Sequence, residues 1–377
     1  MKIVIAPDSY KESLSAMDVA VAIENGFRRV LPDAEIVKLP MADGGEGTVQ
    51  SLVDATGGRI IDVVVTGPLG TPVEGFFGLL GDGETAVIEM AAASGLHLVP
   101  PSQRNPLITT SFGTGELIKA AIEHGAKHLI VGIGGSSTND GGAGMAQALG
   151  VKLLDKEGKD IGHGGGALEN LHTIDCSEMD SRLKSIKLEV ACDVDNPLCG
   201  EKGASAIFGP QKGATPSMVL KLDANLSHYA DLMSAQLGRD VKNSAGAGAA
   251  GGMGAALMGI FNADLRPGIN IVMDAVNLSE HLKDADLVIT GEGRMDSQTV
   301  HGKTPIGVAR CAKQFNLPVI GIAGCLSNDV DIVHEHGIDA VFSVVPRSVS
   351  LEEALREGAV NVENTAANVA RMLSIKL

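Results

Sequence analysis

A run of glycine and hydroxyl residues, Gly134-Gly135-Ser136-Ser137-Thr138-Asn139-Asp140-Gly141-Gly142, has the composition of a loop that binds phosphate. An apolar run of strand length, residues 128–131, precedes it, and a small-residue helical run, residues 145–149, follows. Glycines let backbone N–H groups approach an anion, and a helix start adds unpaired N–H groups and partial positive charge. The hydroxyls are further donors, and Asp140 could reach a metal ion. A tight connection between two packed elements is the alternative, but the glycines at 134, 135, 141, 142 and 144 around five polar residues favour a ligand loop.

Other turns carry charged or hydroxyl side chains directly after a predicted strand. Parallel strands end at one edge of a sheet, so these groups could share a ligand there. Capping of the following helix is the alternative: it is the better explanation for Glu46 and Ser327, while both explanations stay open for Lys11, Arg294 and Asp296. The candidates at this edge are Asp8, Ser9 and Lys11 after the first strand, Asp43 and Glu46 after the second, and Arg294 and Asp296 after the strand ending near Thr290.

Standard nucleotide, metal and hydrolase motifs do not fit the chain. The P-loop pattern fails because Ser297 stands where the glycine before Gly302-Lys303-Thr304 is required. Residues 246–251 match GxGxxG, but the preceding residues 239–243 are mostly polar, so a glycine-rich helix entry is favoured over a dinucleotide site. HExxH, CxxC and GxSxG patterns are absent. The chain does have glycine-rich loops that could bind anions and that carry basic and acidic side chains. This combination suits phosphoryl transfer to a small acceptor.

Strands and helices alternate at both ends of the chain but not in the middle. Predicted strands at residues 2–6, 34–39 and 60–65 are separated by helices, and the alternation returns from residue 286. Between them, residues 73–80 and 85–90 predict an antiparallel hairpin. We therefore predict an α/β protein in which residues 1–68 and 284–377 form one doubly wound parallel-sheet domain. Residues 69–283 form an inserted mixed α/β domain.

Composition limits the class of protein further. The length of 377 residues suits about two domains. A net charge of −16, 3% aromatic residues and no tryptophan argue against a nucleic-acid partner. The five cysteines form no CxxC pair, and we expect reduced thiols in a cytoplasmic protein. No apolar run reaches the length of a membrane span, so we expect no membrane partner.

Four motifs in order resemble the type I family of bacterial glycerate kinases, and the likeness extends from the first strand to the last helix. The motifs are residues 6–15 (APDSYKESLS), 41–48 (MADGGEGT), 134–142 (GGSSTNDGG) and 291–299 (GEGRMDSQT). The resemblance implies ATP- and Mg²⁺-dependent phosphorylation of D-glycerate in the cytoplasm, within glyoxylate and sugar-acid metabolism. It also implies a flavodoxin-like domain built from both termini, a family-specific inserted domain, and ligands in the cleft between them. The resemblance favours 2-phosphoglycerate over 3-phosphoglycerate as the product, and it leaves a homodimer possible.

The resemblance also suggests roles for individual residues. Gly134, Gly135, Ser136, Ser137 and Thr138 would cradle the ATP phosphates, with Asp140 and Asp193 as metal ligands. Lys11 would stabilise charge on the transferred group, and Arg294 would clamp the glycerate carboxylate with Asp8, Ser9 and Asp43 nearby. Asp193 is the candidate general base and Asp296 its rival. A kinase of another small hydroxy acid, a non-catalytic small-acid-binding protein and a Rossmann-type oxidoreductase are the alternatives.

Overall fold

The computed structural model describes residues 1–375 and divides into two compact units. The first unit comprises Met1–Asp43, Gln50–Gly57 and the chain from Ile269 onward, and the second comprises Gly44–Val49 and Gly58–Gly268. The strands are β1 Lys2–Ile5, β2 Glu35–Lys38, β3 Arg59–Thr66, β4 Pro72–Leu79, β5 Thr85–Glu89, β6 His128–Gly132, β7 Lys152–Leu154, β8 Thr173–Asp175, β9 Lys187–Ala191, β10 Asp264–Arg266, β11 Leu287–Thr290, β12 Arg294–Met295, β13 Val319–Ala323, β14 Cys325–Leu326 and β15 Ala340–Ser343.

Helices connect these strands. They are α1 Ala16–Arg28, α2 Thr48–Thr56, α3 Ala91–Ser94, α4 Phe112–Glu123, α5 Ala143–Ala148, α6 Ala204–Phe208, α7 Pro216–Leu237, α8 Ala249–Gly259, α9 Gly268–Ala275, α10 Leu278–Leu282, α11 Thr304–Lys313, α12 Leu351–Arg356 and α13 Gly358–Leu373.

The first unit is built on a parallel sheet of strand order β15-β13-β11-β1-β2. Numbered by their succession along the chain, these strands read 2-1-3-4-5 across the sheet, which is the flavodoxin-like doubly wound order. The central strands β1, β11 and β13 are buried along nearly their whole length, as their continuous apolar sequences predict. The predicted fold class is therefore confirmed, including the contribution of both termini.

Helices α1 and α13 pack closely in the first unit. Ser15 caps α1 with a capping box, in which its side chain and that of Asp18 each accept a backbone N–H. Val19, Ile23 and Phe27 recur at helical spacing and lie in one apolar core with strands β1, β11 and β13. The approach of the two helices requires Gly26, because a Cβ there would lie 2.3 Å from the carbonyl oxygen of Glu363.

The second unit is built on a mixed sheet of order β10-β9-β6-β5-β4-β3. Strands β5, β6, β9 and β10 are parallel, and β4 pairs antiparallel with β5, which confirms the predicted hairpin. The prediction that residues 60–65 form a third strand of the terminal parallel sheet is wrong, because β3 pairs antiparallel with β4 over its whole length. Its alternating exposed and half-buried residues show why: it is an edge strand and not a buried one.

The unit boundaries differ from the predicted domain boundaries. We predicted changes at residues 68/69 and 283/284, whereas the second unit runs from Gly58 to Gly268 and also takes Gly44–Val49. The first difference follows from the pairing of β3. The second arises because α9 and α10 belong to the first unit. Within residues 1–375, no helix is both long and apolar enough to cross a membrane.

Replacing Gly26 by alanine should destabilise the first unit. The new Cβ would overlap backbone atoms of α13, and overpacking of this kind typically costs roughly 1–3 kcal/mol. We expect the midpoint of thermal unfolding, followed by circular dichroism, to fall by at least about 3 °C. The exposed neighbour Asn25 gives the control, since Asn25→Ala should not lower the midpoint. An unchanged midpoint for Gly26→Ala would contradict the close packing of α1 and α13.

Candidate functional site

Two strands of the first unit deliver acidic side chains to the point where the strand order of the sheet reverses. Asp8 follows β1 and Glu292 follows β11, and these strands are neighbours. The backbone keeps the two segments in register beyond the strands, because the Asp8 N–H donates to the Gly291 carbonyl at 2.8 Å. Ligands of open α/β sheets bind at this position, outside the carboxyl ends of the strands. The sheet topology therefore marks Asp8 and Glu292 as candidate functional groups.

Asp8 is held in one orientation and is half-buried. One carboxylate oxygen, Oδ1, accepts the Ser9 N–H at 2.7 Å, and the other, Oδ2, accepts the Thr304 hydroxyl at 2.6 Å. Burial raises the pKa of Asp8 to about 6, and the negative charges of Asp43 and Glu292 act in the same direction against these hydrogen bonds. A carboxylate with a pKa in this range can accept a proton near neutral pH.

Glu292 is a buried carboxylate of the same unit. Its Oε1 accepts the Thr299 hydroxyl at 2.7 Å, and its Oε2 lies 3.2 Å from the ammonium nitrogen of Lys303. Burial raises the pKa of Glu292. The hydrogen bond from Thr299 and the positive charge of Lys303 oppose this shift. Sequence reasoning missed Glu292, Lys303 and Thr304 as site residues. The sequence places Glu292 in the turn after β11, but only the pairing of β1 with β11 identifies it as the residue of that turn whose charge acts on Asp8.

The remaining predicted residues of the first unit lie around these carboxylates or at the surface. Asp43 is half-buried and close enough to influence the pKa of Asp8, and Ser9 directly contacts the Asp8 carboxylate. The exposed Arg294 forms an ion pair with Asp296 at 3.2 Å and donates to the hydroxyl of Ser327 at 3.1 Å. Lys11 is exposed.

In the second unit, the glycine and hydroxyl loop after β6 is divided into an exposed and a buried part. Gly134 and Gly135 are exposed, whereas residues 136–140 are buried. Gly135, Gly141 and Gly142 have positive φ angles that favour glycine. The Ser137 hydroxyl donates to the Ser94 carbonyl at 2.9 Å, so it stabilises the loop internally. Direct contact with a ligand is therefore favoured for the two glycines over the three hydroxyl residues.

Asp140 anchors this loop to the start of α4 and α5. The carboxylate is fully buried and accepts four hydrogen bonds, from the Ser111 backbone and hydroxyl and from the backbone N–H groups of Gly142 and Gly144. These bonds occupy the oxygens that a metal ion would need. The geometry therefore favours a structural role for Asp140 over the predicted metal-ligand role.

Lys212 is a buried cation beneath the loop, and sequence reasoning missed it. Its side chain is 1% exposed, and its ammonium donates to the Ser136 hydroxyl at 2.7 Å and to the Thr138 carbonyl at 2.6 Å. Burial lowers the pKa of Lys212 to about 7, although the negative charge of Asp140 opposes this shift. No local pattern could have identified Lys212, because it lies 76 residues from Ser136 in the chain.

The second glycine run packs against the same loop. Gly251 has a φ of +67°, and a Cβ there would lie 2.0 Å from the Thr138 carbonyl oxygen. The carbonyl of Gly251 accepts the Gly141 N–H at 3.0 Å. No strand precedes this run between residues 238 and 248. Residues 246–251 thus allow close backbone packing at the entry to α8, and they give no support to the oxidoreductase alternative.

Asp193 follows β9 at the edge of the second sheet. The side chain is exposed, and its Oδ1 accepts the Gly268 N–H at 3.0 Å. In the described part of the chain, no group of three or more His, Cys, Asp or Glu side chains could hold a metal ion by itself. Mg²⁺ is commonly held by one or two carboxylates together with substrate phosphates and water, and an exposed carboxylate such as Asp193 suits that arrangement.

Comparison with known proteins gives a consistent result across the chain. A model of the glycerate kinase family matches residues 3–374. The chain is 64% identical to a glycerate kinase from Bacillus subtilis (strain 168), covering 100% of this chain and 98% of the relative. It is 60% identical to a glycerate 2-kinase from Escherichia coli (strain K12), covering 100% and 98%. A crystal structure from Salmonella typhimurium LT2, provisionally described as glycerate kinase 2, has 61% identity and a TM-score of 0.93 over 99% of this chain and 98% of that chain.

Replacing Lys212 by methionine should change how stability depends on pH. The native pKa near 7 lies below that of an unfolded lysine, so the wild type gains stability as pH rises from about 7 to about 10. The midpoint of thermal unfolding of the wild type should therefore rise relative to Lys212→Met over this range. Lys202→Met is the control, since this exposed side chain is in water in both states. A difference that stays constant with pH would contradict the desolvated state of Lys212.

Proposed function

The chain belongs to the glycerate kinase family and is an enzyme of that family, and we propose that it transfers the γ-phosphoryl group of ATP to D-glycerate. The observation that carries the proposal is the match of the family model to nearly the whole chain. The 2-hydroxyl is the proposed acceptor, giving 2-phosphoglycerate. This choice is supported by the 60% identical relative from Escherichia coli, whose name specifies a 2-kinase.

The second unit is the proposed nucleotide-binding part. Gly134 and Gly135 offer exposed backbone to the phosphates, which glycine allows because it has no side chain. The ammonium of Lys212 lies directly behind the next residue, Ser136, and supplies positive charge without being exposed. Charge neutralisation and positioning account for most of the catalysis in phosphoryl transfer.

The first unit is the proposed binding part for the acceptor. Arg294 has the planar guanidinium that suits a carboxylate, and its neighbour Asp296 orients it through their ion pair. We prefer Asp8 to Asp193 and Asp296 as the general base, because Asp8 combines fixed hydrogen bonds with a pKa near 6. Asp8 would take the hydroxyl proton of glycerate. The alkoxide oxygen forms a bond to the γ-phosphorus, and the bond to the β-phosphate oxygen breaks, releasing ADP.

Mg²⁺ would be held by Asp193 and by phosphate oxygens of the nucleotide. The metal, when bound, neutralises charge on the phosphates. Asp140 is left out of this role because its carboxylate is committed to four hydrogen bonds within the protein. Lys11, exposed in the turn after Asp8, remains the proposed partner for charge on the transferred group.

The proposed reaction is tested by ³¹P NMR of the purified protein with Mg-ATP and D-glycerate. We expect a new phosphomonoester signal that is split by a single carbon-bound proton, because O2 lies on a CH carbon. Splitting by two methylene protons would assign the phosphate to O3 and would overturn the 2-phosphate proposal. L-Glycerate is the matched control for the acceptor. Absence of any new signal with either enantiomer would overturn the proposed reaction itself.

Replacing Asp8 by asparagine should reduce kcat roughly 10²- to 10⁴-fold, as expected for loss of a general base. In the wild type, kcat/KM should fall below about pH 6, where Asp8 becomes protonated. Folding should be retained. The native pKa of Asp8 lies above that of an unfolded aspartate, so its contribution to stability is present below about pH 4 and is lost as pH rises through about 6.

Three variants provide the comparison for Asp8→Asn. Asp33→Asn alters an exposed aspartate outside the proposed site and should keep the wild-type rate. Asp193→Asn and Asp296→Asn test the other candidates for the base. If either lowers kcat more than Asp8→Asn and also removes the fall of kcat/KM below about pH 6, the base role belongs to that residue.

A further inference from the structure

A cavity of about 440 Å³ lies in the second unit at the carboxyl ends of β5 and β6. Its lining includes Glu89 at the end of β5, Ala91 of α3, Phe76 and His97. Gly134 and Gly135 also line it. The exposed glycines of the phosphate loop are thus part of the wall of this cavity.

The size of the cavity indicates the size of its occupant. Pockets for drug-sized ligands measure on the order of 300–1,000 Å³. A volume of about 440 Å³ falls within that range and is much larger than a three-carbon acid needs. Glycerate alone would leave most of it unfilled, whereas a nucleoside would occupy it.

The charges of the lining residues argue against an anionic occupant. Glu46 and Glu89 both line the cavity, and none of its lining residues is a lysine or arginine. Glu89 is buried, and its carboxylate accepts the Val49 N–H at 2.9 Å. Burial raises the pKa of Glu89, and hydrogen bonds from the backbone of Val49, Gly47 and Thr48 oppose the shift. The exposed Glu46 carboxylate can accept hydrogen bonds from neutral donors such as sugar hydroxyls.

The uncharged lining suits a planar aromatic group. Phe76 is half-buried and His97 is exposed, so both can offer a ring to a ligand. Alanine and glycine supply most of the remaining wall, which leaves room for a flat base to lie against it. Stacking of a nucleobase on an aromatic side chain contributes roughly 1–3 kcal/mol.

We propose that this cavity binds the adenosine moiety of ATP, with the base against Phe76 and His97 and the ribose hydroxyls at Glu46. This inference rests on the proposed function, since it identifies the nucleoside site for the same donor. A nucleoside in the cavity directs its phosphates to Gly134 and Gly135, where the cavity wall becomes the phosphate loop. The neutral part of the nucleotide thus meets the acidic wall, and the charged part meets the loop above Lys212.

The test compares two probes, ATP and inorganic tripolyphosphate, by isothermal titration calorimetry. Ala91→Phe should fill the cavity and weaken ATP binding by roughly tenfold or more, the loss of about one stacking contact. Tripolyphosphate has no nucleoside, and its affinity should change less than about twofold. Ala91→Ser adds a single atom and should weaken ATP binding less than Ala91→Phe does. His97→Ala should also weaken ATP selectively, and it does not depend on fitting a larger side chain.

Three results would overturn the nucleoside site. One is unchanged ATP affinity in both Ala91→Phe and His97→Ala. Another is equal weakening of ATP and tripolyphosphate, which would indicate distortion of the loop. A third is a selective loss of D-glycerate binding. His172→Ala, which alters an exposed histidine outside the cavity, should leave all affinities unchanged.

Wild-type turnover separates this inference from the proposed function. If the wild type phosphorylates D-glycerate from ATP while Ala91→Phe and His97→Ala keep its KM for ATP, only the nucleoside site fails. If Ala91→Phe and His97→Ala weaken the binding of ATP but not of tripolyphosphate, and the wild type makes no phosphoglycerate, the nucleoside site stands and the proposed reaction fails.

Discussion

Two buried ionisable groups, the carboxylate of Asp140 and the amine of Lys212, hold the loop after β6 in place through hydrogen bonds. Burying a charge costs free energy unless hydrogen bonds or opposite charges compensate it. Here the hydrogen bonds are present: Asp140 accepts four, and Lys212 donates to Ser136 and Thr138. They fix the buried part of the loop and leave Gly134 and Gly135 at its exposed end. Because these hydrogen bonds already fix the loop, it would lose little conformational freedom if it bound phosphates.

In the first unit, the topology of the sheet fixes the position of a functional candidate, Asp8. Because β1 and β11 are parallel neighbours, the turns after them lie at one edge, and Asp8 comes under the electrostatic influence of Glu292 and Asp43. Desolvation and like charges raise the pKa of Asp8, while Ser9 and Thr304 keep it oriented. Such a carboxylate lowers stability at neutral pH. That cost is typical of groups kept for chemistry and not for packing.

Glycine serves two different purposes in this molecule. Gly134 and Gly135 leave backbone exposed at the end of the loop after β6, whereas Gly26 and Gly251 allow elements to pack more closely than a side chain permits. The run at 246–251 resembles a dinucleotide motif in sequence, yet its backbone packs against Thr138 and Gly141 of the loop after β6. The high glycine content, 48 of 377 residues, is consistent with both uses.

The sequence by itself determined the α/β class, the sharing of one sheet by both termini, the loop after β6 and the family, because each is a property of local pattern. Buried parallel strands are short apolar runs, and loops that bind anions carry glycine and hydroxyl residues. Only the tertiary structure decided that β3 pairs with β4, that Asp140 accepts a hydrogen bond from Ser111, and that Lys212 donates one to Ser136. The physical reason is that strand pairing, burial and desolvation depend on residues far apart in the chain. A sequence pattern reports the residue type, but the pKa and the hydrogen-bond partners of that residue follow from its surroundings.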